Sequence, residues 1–168
     1  MLPFHIVDVF TTGVAATGNQ LLVVEDHTDV LSDGAMQSMA AEIGFAESAF
    51  VRSDGGVRIF TIDGEVPQAG HPIIGLSEII GGPCEWPGKQ LSIATKKGTI
   101  GVVSGSQAGS WFATQDQPDW LGHASRGSVE PLLKRGAEGL VGDDYPVGST
   151  CGLPYALVPV ESEMALPT

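Results

Sequence analysis

Residues 70–83 read Gly-His-Pro-Ile-Ile-Gly-Leu-Ser-Glu-Ile-Ile-Gly-Gly-Pro, and this stretch constrains the fold most strongly. Proline is favoured at the first helical position, where its missing N–H would have had no intrahelical partner. Behind Pro72 the residues Ile73, Ile74, Leu76, Ile79 and Ile80 present an apolar face, and Gly81-Gly82-Pro83 stops the helix. A helix this apolar has to be enclosed. Strand-like runs lie on both sides of it, so the expectation is a core helix packed inside the curve of a sheet.

Residues 4–11 and 19–26 are short strand-like runs joined by a loop of small residues, 12–18. Ser32 precedes a helical pattern with Met36, Met39, Ala40 and Ile43 at core spacing and Gly44 as the C-cap. Residues 47–53 and 57–66 read as strands separated by the turn Asp54-Gly55-Gly56. After a turn at Trp86-Pro87-Gly88, residues 90–105 read as a hairpin turning near Lys97-Gly98, and residues 110–115 as a further strand. Composition shifts after residue 115. The expected organisation is a domain over 1–115, a connector with a short helix over 116–147, and a β extension over 148–168. No internal repeat is present.

Eight Lys and Arg against 20 Asp and Glu leave a formal net charge of -12, which argues against nucleic acid and against anionic membranes as partners. Any anion must be held locally, by dipoles and a few donors. The first residues have neither a basic n-region nor a long apolar core, and no run of apolar residues is long enough to span a bilayer. A cytoplasmic location is therefore expected. Cys84 and Cys151 have no metal-ligand spacing. A thiol-based racemase would need one of them in the cleft, and neither has an adjacent base.

Two polar residues stand in positions suited to chemistry. With Pro72 opening the helix, the N–H groups of Ile73, Ile74 and Gly75 would point out of its start, where the dipole favours an anion, and His71 would sit at the rim. On that stretch alone the ordinary reading, a polar cap, weighs more. Glu47 lies where a helix has ended and an apolar strand begins, and a carboxylate in such a half-buried junction could shuttle a proton. The local pattern equally suits a solvent-facing residue. Asp8, inside an apolar first strand, reads as a structural residue hydrogen-bonded across the sheet. Gly18-Asn19 could present an amide to a ligand or simply turn the chain. His5, His27 and His123 show no metal spacing and receive no role.

Read together, "FHIVDVFTTGVAATGNQLLVV", "MAAEIGFAESAFV", "RIFTIDGEVPQAGHPIIG" and "STCGLPYALVPV" occur in the order and spacing of the phenazine-biosynthesis PhzF-like family. That family is a branch of the diaminopimelate epimerase-like superfamily, and the resemblance runs from about residue 4 to residue 160. It implies an α+β fold: one diaminopimelate epimerase-like half, a curved mixed/antiparallel β-sheet wrapped around a central α-helix, with the active site in the cleft between two such halves. It also implies isomerisation by proton transfer at carbon, with no cofactor and no metal, on a small carboxylate-bearing molecule. Glu47 matches the family's general acid/base, and Gly70 and His71 match its Gly-His pair at the substrate-facing start of the central helix. With them, Ile73 and Ile74 would offer backbone donors, and Asn19 matches the asparagine of a Gly-Asn-Pro motif in which Gln20 here replaces the proline. Ile62 stands where proline is common, and Ile73 where threonine is common.

Family members carry a second half of similar length, and this chain resembles the first half plus the start of the second. Two expectations follow. One is an isomerase or epimerase whose second wall comes from another subunit, as a homodimer in which residues 148–160 pair with a sheet edge of the partner or of the same chain. The other is a truncated, non-catalytic binding or assembly module that keeps the anion pocket.

Overall fold

Four consecutive residues of the second strand, Leu21, Leu22, Val23 and Val24, are all buried. Neighbouring side chains on a strand point to opposite faces, so both faces of the sheet must be covered there. In the computed structural model, which describes residues 1–14, 16–82, 87–132, 139–150 and 153–161, two helices provide that cover. The chain divides into two units, Met1–Gln115 and Asp116–Thr168.

In the first unit β1 (Phe4–Val9), β2 (Asn19–Asp26), α1 (Asp33–Ile43), β3 (Glu47–Arg52), β4 (Gly56–Phe60), β5 (Glu65–Val66), α2 (Gly70–Gly81), β6 (Gln90–Thr95), β7 (Thr99–Ser104) and β8 (Trp111–Ala113) follow in order. The sheet runs β1-β2-β3-β4-β6-β7-β8, with β5 paired to β4. β2 and β3 are parallel, as are β4 and β6, and the other pairs are antiparallel. Each parallel pair is bridged by a crossover that includes a helix, as parallel strands require. α2 packs against β1, β2, β3, β6 and β8, both edge strands included, so the sheet curls around it. The core on that side gathers Val9, Leu21, Val23, Ala49, Ile59, Ile73, Leu76, Ile93 and Trp111. A smaller core on the other face joins Leu22, Val24, Phe50 and Phe60 to Met36 and Ala40 of α1. Close approach of α2 requires glycine at position 75, where a Cβ would lie 2.7 Å from side-chain atoms of both Val9 and Leu21.

α1 is bounded as its sequence indicates. Ser32 caps it by accepting from the Ala35 N–H at 3.2 Å, and Gly44 closes it in the left-handed region at φ 71°. Residues 57–66 differ from expectation: they form β4 and β5 rather than one strand. Asp63-Gly64 lets the chain reverse, with the Thr61 N–H donating to the Gly64 carbonyl at 2.9 Å. The start of α2 also differs. Its N-cap is Ala69, so helical geometry begins at Gly70, two residues before the proline.

The second unit holds β9 (Asp119–Ser125), α3 (Arg126–Val129), a 3-10 turn at Glu130–Leu132, β10 (Asp144–Thr150) and β11 (Leu153–Ala156). They form a three-stranded antiparallel sheet in the order β11-β10-β9, and Tyr145, Val129 and Leu140 are the unit's buried apolar residues among those described. The segment expected to be a connector thus contains a whole strand and most of another. Residues 119–125 lack strict apolar alternation, which hid β9. β11 pairs with β10 of the same chain and ends at Ala156, where Leu157 donates its N–H to the Pro146 carbonyl at 2.9 Å. Cys84, Cys151 and the Trp86 turn lie outside the described residues. No helix among the described residues is long and apolar enough to cross a membrane.

Candidate active site at the start of the buried helix

Glu47 is the first residue of β3 and pairs in register with Leu21 of the parallel strand β2. Its side chain therefore points to the same face as Leu21, toward α2. His71 is the second residue of α2, and its side chain is only 7% exposed. Glu47 Oε2 lies 2.7 Å from His71 Nδ1. The other ring nitrogen, Nε2, faces the backbone carbonyl of Asn19 at 3.1 Å, and the Asn19 side-chain amide lies 3.5 Å from Nδ1. Three residues separated by up to 52 positions thus meet at one point.

Of the expected site residues, the fold brings Asn19, Glu47, Gly70 and His71 together. Ile73 does not join them: its side chain is wholly buried in the core. Because the N-cap is Ala69, the N–H groups of Ile73, Ile74 and Gly75 are spent on the carbonyls of Ala69, Gly70 and His71 inside the helix. The N–H groups of Gly70 and His71 have no intrahelical partner, Pro72 has no N–H, and Ala69 supplies no side-chain cap. Ile74 is half-buried and packs on the core edge. The anion-favouring terminus is two residues earlier than the proline rule indicates, and it lies beside the imidazole itself.

Phe10 was not indicated by the sequence. It sits beyond the end of β1 at φ 60°, 66% exposed, with its ring centre 6.3 Å from that of His71. No local pattern marks it, because an aromatic at the end of an apolar run reads as core. Asp8 departs from its expected role. Both its carboxylate oxygens are buried and have no hydrogen-bond partner among the described residues, so it does not bond across the sheet.

The remaining histidines lie elsewhere. His5 and His27 flank Glu25 at 2.7 and 3.0 Å and hold its carboxyl below the usual range. His123 pairs with Asp144 at 2.9 Å in the second unit. Among the described residues no group of three or more His, Cys, Asp or Glu is placed to hold a metal ion.

The family model described as phenazine biosynthesis-like protein, PhzC-PhzF, matches residues 7–167. A trans-2,3-dihydro-3-hydroxyanthranilate isomerase of Pseudomonas aeruginosa is 34% identical over 152 residues, covering 86% of this chain and 51% of that protein. Its counterpart from Pseudomonas fluorescens is 37% identical over the same shares. The chain spans about half the length of the curated relatives it matches. Among solved structures, a predicted epimerase from Pseudomonas aeruginosa superposes with a TM-score of 0.78 at 28% identity, over 98% of this chain and 61% of that one. A phenazine biosynthesis protein of the PhzF family from Bacillus anthracis gives 0.64 at 27% identity, over 96% and 56%. The α+β fold with a curled mixed sheet is the one these neighbours share.

Proposed function

This chain belongs to the phenazine biosynthesis-like protein family, and on that premise we propose that it takes part in isomerising a small, unsaturated, carboxylate-bearing molecule by moving a proton between carbons. The observation that carries this reading is the 2.7 Å contact between Glu47 and His71 at an uncapped helix start. Glu47 takes a proton from a carbon next to the unsaturated bond. The C–H electron pair enters the π-system, and the negative charge spreads toward the substrate carboxylate. The N–H groups of Gly70 and His71 are preorganised to stabilise that charge, which is where fixed dipoles contribute most. Glu47, now protonated and held by His71, exchanges that proton with solvent and delivers a solvent-derived proton to the far carbon of the same π-system. Atoms and electrons balance without an external oxidant, reductant or cofactor.

Asn19 borders this site from the β2 side, and the Asn19 and Phe10 side chains are open to a ligand. A second wall would exclude water and strengthen each of these electrostatic contacts. We place that wall in a partner subunit of a homodimer, which sedimentation of the 168-residue chain tests directly.

The chemical test is incubation in deuterium oxide with trans-2,3-dihydro-3-hydroxyanthranilate and a panel of small unsaturated carboxylates. Deuterium at carbon in one of them is the expected result. Carboxylate binding with no label anywhere in the panel would establish the non-catalytic binding module instead.

A further inference from the structure

We propose that Gly18 is a positioning residue: by placing the Asn19 carbonyl on His71 Nε2, it fixes the tautomer of His71 and limits the Glu47–His71 couple to at most one proton, the one that Glu47 takes from the substrate. The role it gives that couple in catalysis rests on the isomerase reading above, but the tautomer does not.

A backbone carbonyl only accepts hydrogen bonds. The 3.1 Å contact from the Asn19 carbonyl therefore requires a proton on Nε2. Nδ1, at 2.7 Å from Glu47 Oε2, then has two ways to make its own bond. Either Glu47 is a carboxylic acid that donates to a bare Nδ1, or Nδ1–H donates to a carboxylate. Both arrangements hold one proton between the two residues. The arrangement with none, which the couple holds before Glu47 takes the substrate proton, sets a lone pair against a carboxylate and so makes Glu47 the stronger base, with only the Asn19 amide, 3.5 Å away, to soften it. Were Nε2 free to lose its proton instead, the imidazole could turn Nδ1–H toward Glu47 permanently, and the carboxylate would be a poorer proton acceptor. The hydrogen bond on the far nitrogen decides which proton the near nitrogen can carry.

What places that carbonyl is the missing side chain one residue earlier. A Cβ at position 18 would lie 2.3 Å from the Val9 carbonyl oxygen and 2.7 Å from Asp8 Oδ1. The first is backbone and cannot yield. The second belongs to a buried carboxylate that already lacks a partner. The φ of Gly18 is outside the left-handed region, so space rather than backbone angle demands glycine here. Asn19 is in register with Val9 at the end of the β1-β2 ladder. Any side chain at 18 pushes this corner away from β1 and carries the Asn19 carbonyl off His71.

The test is nitrogen NMR of the histidine-labelled full chain, followed through the titration of His71 and assigned with His71→Gln. The wild type is expected to keep a protonated Nε2 in every state, with only Nδ1 changing. Gly18→Ala is expected to mix the two neutral tautomers and to lower any deuterium exchange about a hundredfold through kcat rather than KM. Asn19→Ala retains the carbonyl and is expected to keep the wild-type tautomer; it serves even if Gly18→Ala fails to fold. A bare Nε2 in the wild type, loss of the Nε2 proton in Asn19→Ala, or a folded Gly18→Ala with an unchanged spectrum each overturns the proposal. Failure of the isomerase reading would show instead as a correct tautomer without exchange.

Discussion

The two long helices of the first unit begin in opposite ways. α1 is closed by its own sequence: Ser32 accepts from the Ala35 N–H, and Asp33 in the first turn is ion-paired to Arg58. α2 begins from an equally extended residue, Ala69 at φ -148° and ψ 141°, yet no side chain caps it and no acidic residue lies in its first turn. The same fold that satisfies one helix start leaves the other with the Gly70 and His71 N–H groups lacking an intrahelical partner, beside a buried imidazole and a carboxylate. A terminus left uncapped at the edge of a core is available to a ligand's carboxylate, whereas a capped one is finished structure.

The largest effect expected from this contrast is chemical. Glu47→Gln should reduce deuterium exchange by about two to four orders of magnitude, the usual contribution of a general acid/base, while leaving thermal unfolding nearly unchanged. Exchange that survives the substitution would remove Glu47 from the mechanism.

Next comes the charge network that closes the α1 side. Arg58 donates twice to Glu65, both at 2.9 Å, and also bonds Asp33, while Lys96 reaches Glu65 at 3.2 Å. Arg58, and after it Lys96, holds the Glu65 carboxyl below its usual value near 4.5. The unfolded chain then binds more protons than the folded one in this range, so stability rises with pH. The contribution is complete above the unfolded value near 4.5 and is lost as pH falls through the lower folded value. Arg58→Met should cost about 1–3 kcal/mol at neutral pH and flatten the acid limb of a denaturant-midpoint profile. An unchanged acid limb would mean that the network contributes nothing.

The smallest effects exchange the two helix starts. Ser32→Ala should lower stability by about 0.5–2 kcal/mol without touching carboxylate binding. Ala69→Ser should act in reverse, adding a cap worth about the same while weakening the binding of a carboxylate probe to Gly70 and His71. Equal binding by the parent and Ala69→Ser would show that these N–H groups of α2 are not used.

Much of the first unit was legible in its residues because the signals there are local. Ser32 and Gly44 mark α1 at both ends, and residues 19–26 read as a strand, although that it is covered on both faces came only from the structure. The central helix was legible as an apolar element, but its start was misplaced. The proline rule puts helical geometry at Pro72, whereas the chain is already helical at Gly70, with the proline inside the first turn, where it still forfeits no intrahelical bond. The same shift moved the available donors from Ile73, Ile74 and Gly75 to Gly70 and His71. In the second unit, β9 escaped notice because Asp119, Trp120, Leu121, Gly122 and His123 follow no two-residue period.

From composition and pattern alone came a globular, acidic chain with an enclosed central helix, and from four motifs in order came its family. The first follows from periodicity and capping, both short-range along the chain; the second rests on the resemblance of the motifs to those of known relatives. Only the tertiary structure decided that Glu47 meets His71 and that the far ring nitrogen meets the carbonyl of Asn19. Those contacts depend on the parallel pairing of β2 with β3 and on how closely α2 and the corner at Gly18 approach the strands. Distances between residues tens of positions apart are set by strand register and by the space left where glycine has no Cβ, and neither is written in any local stretch.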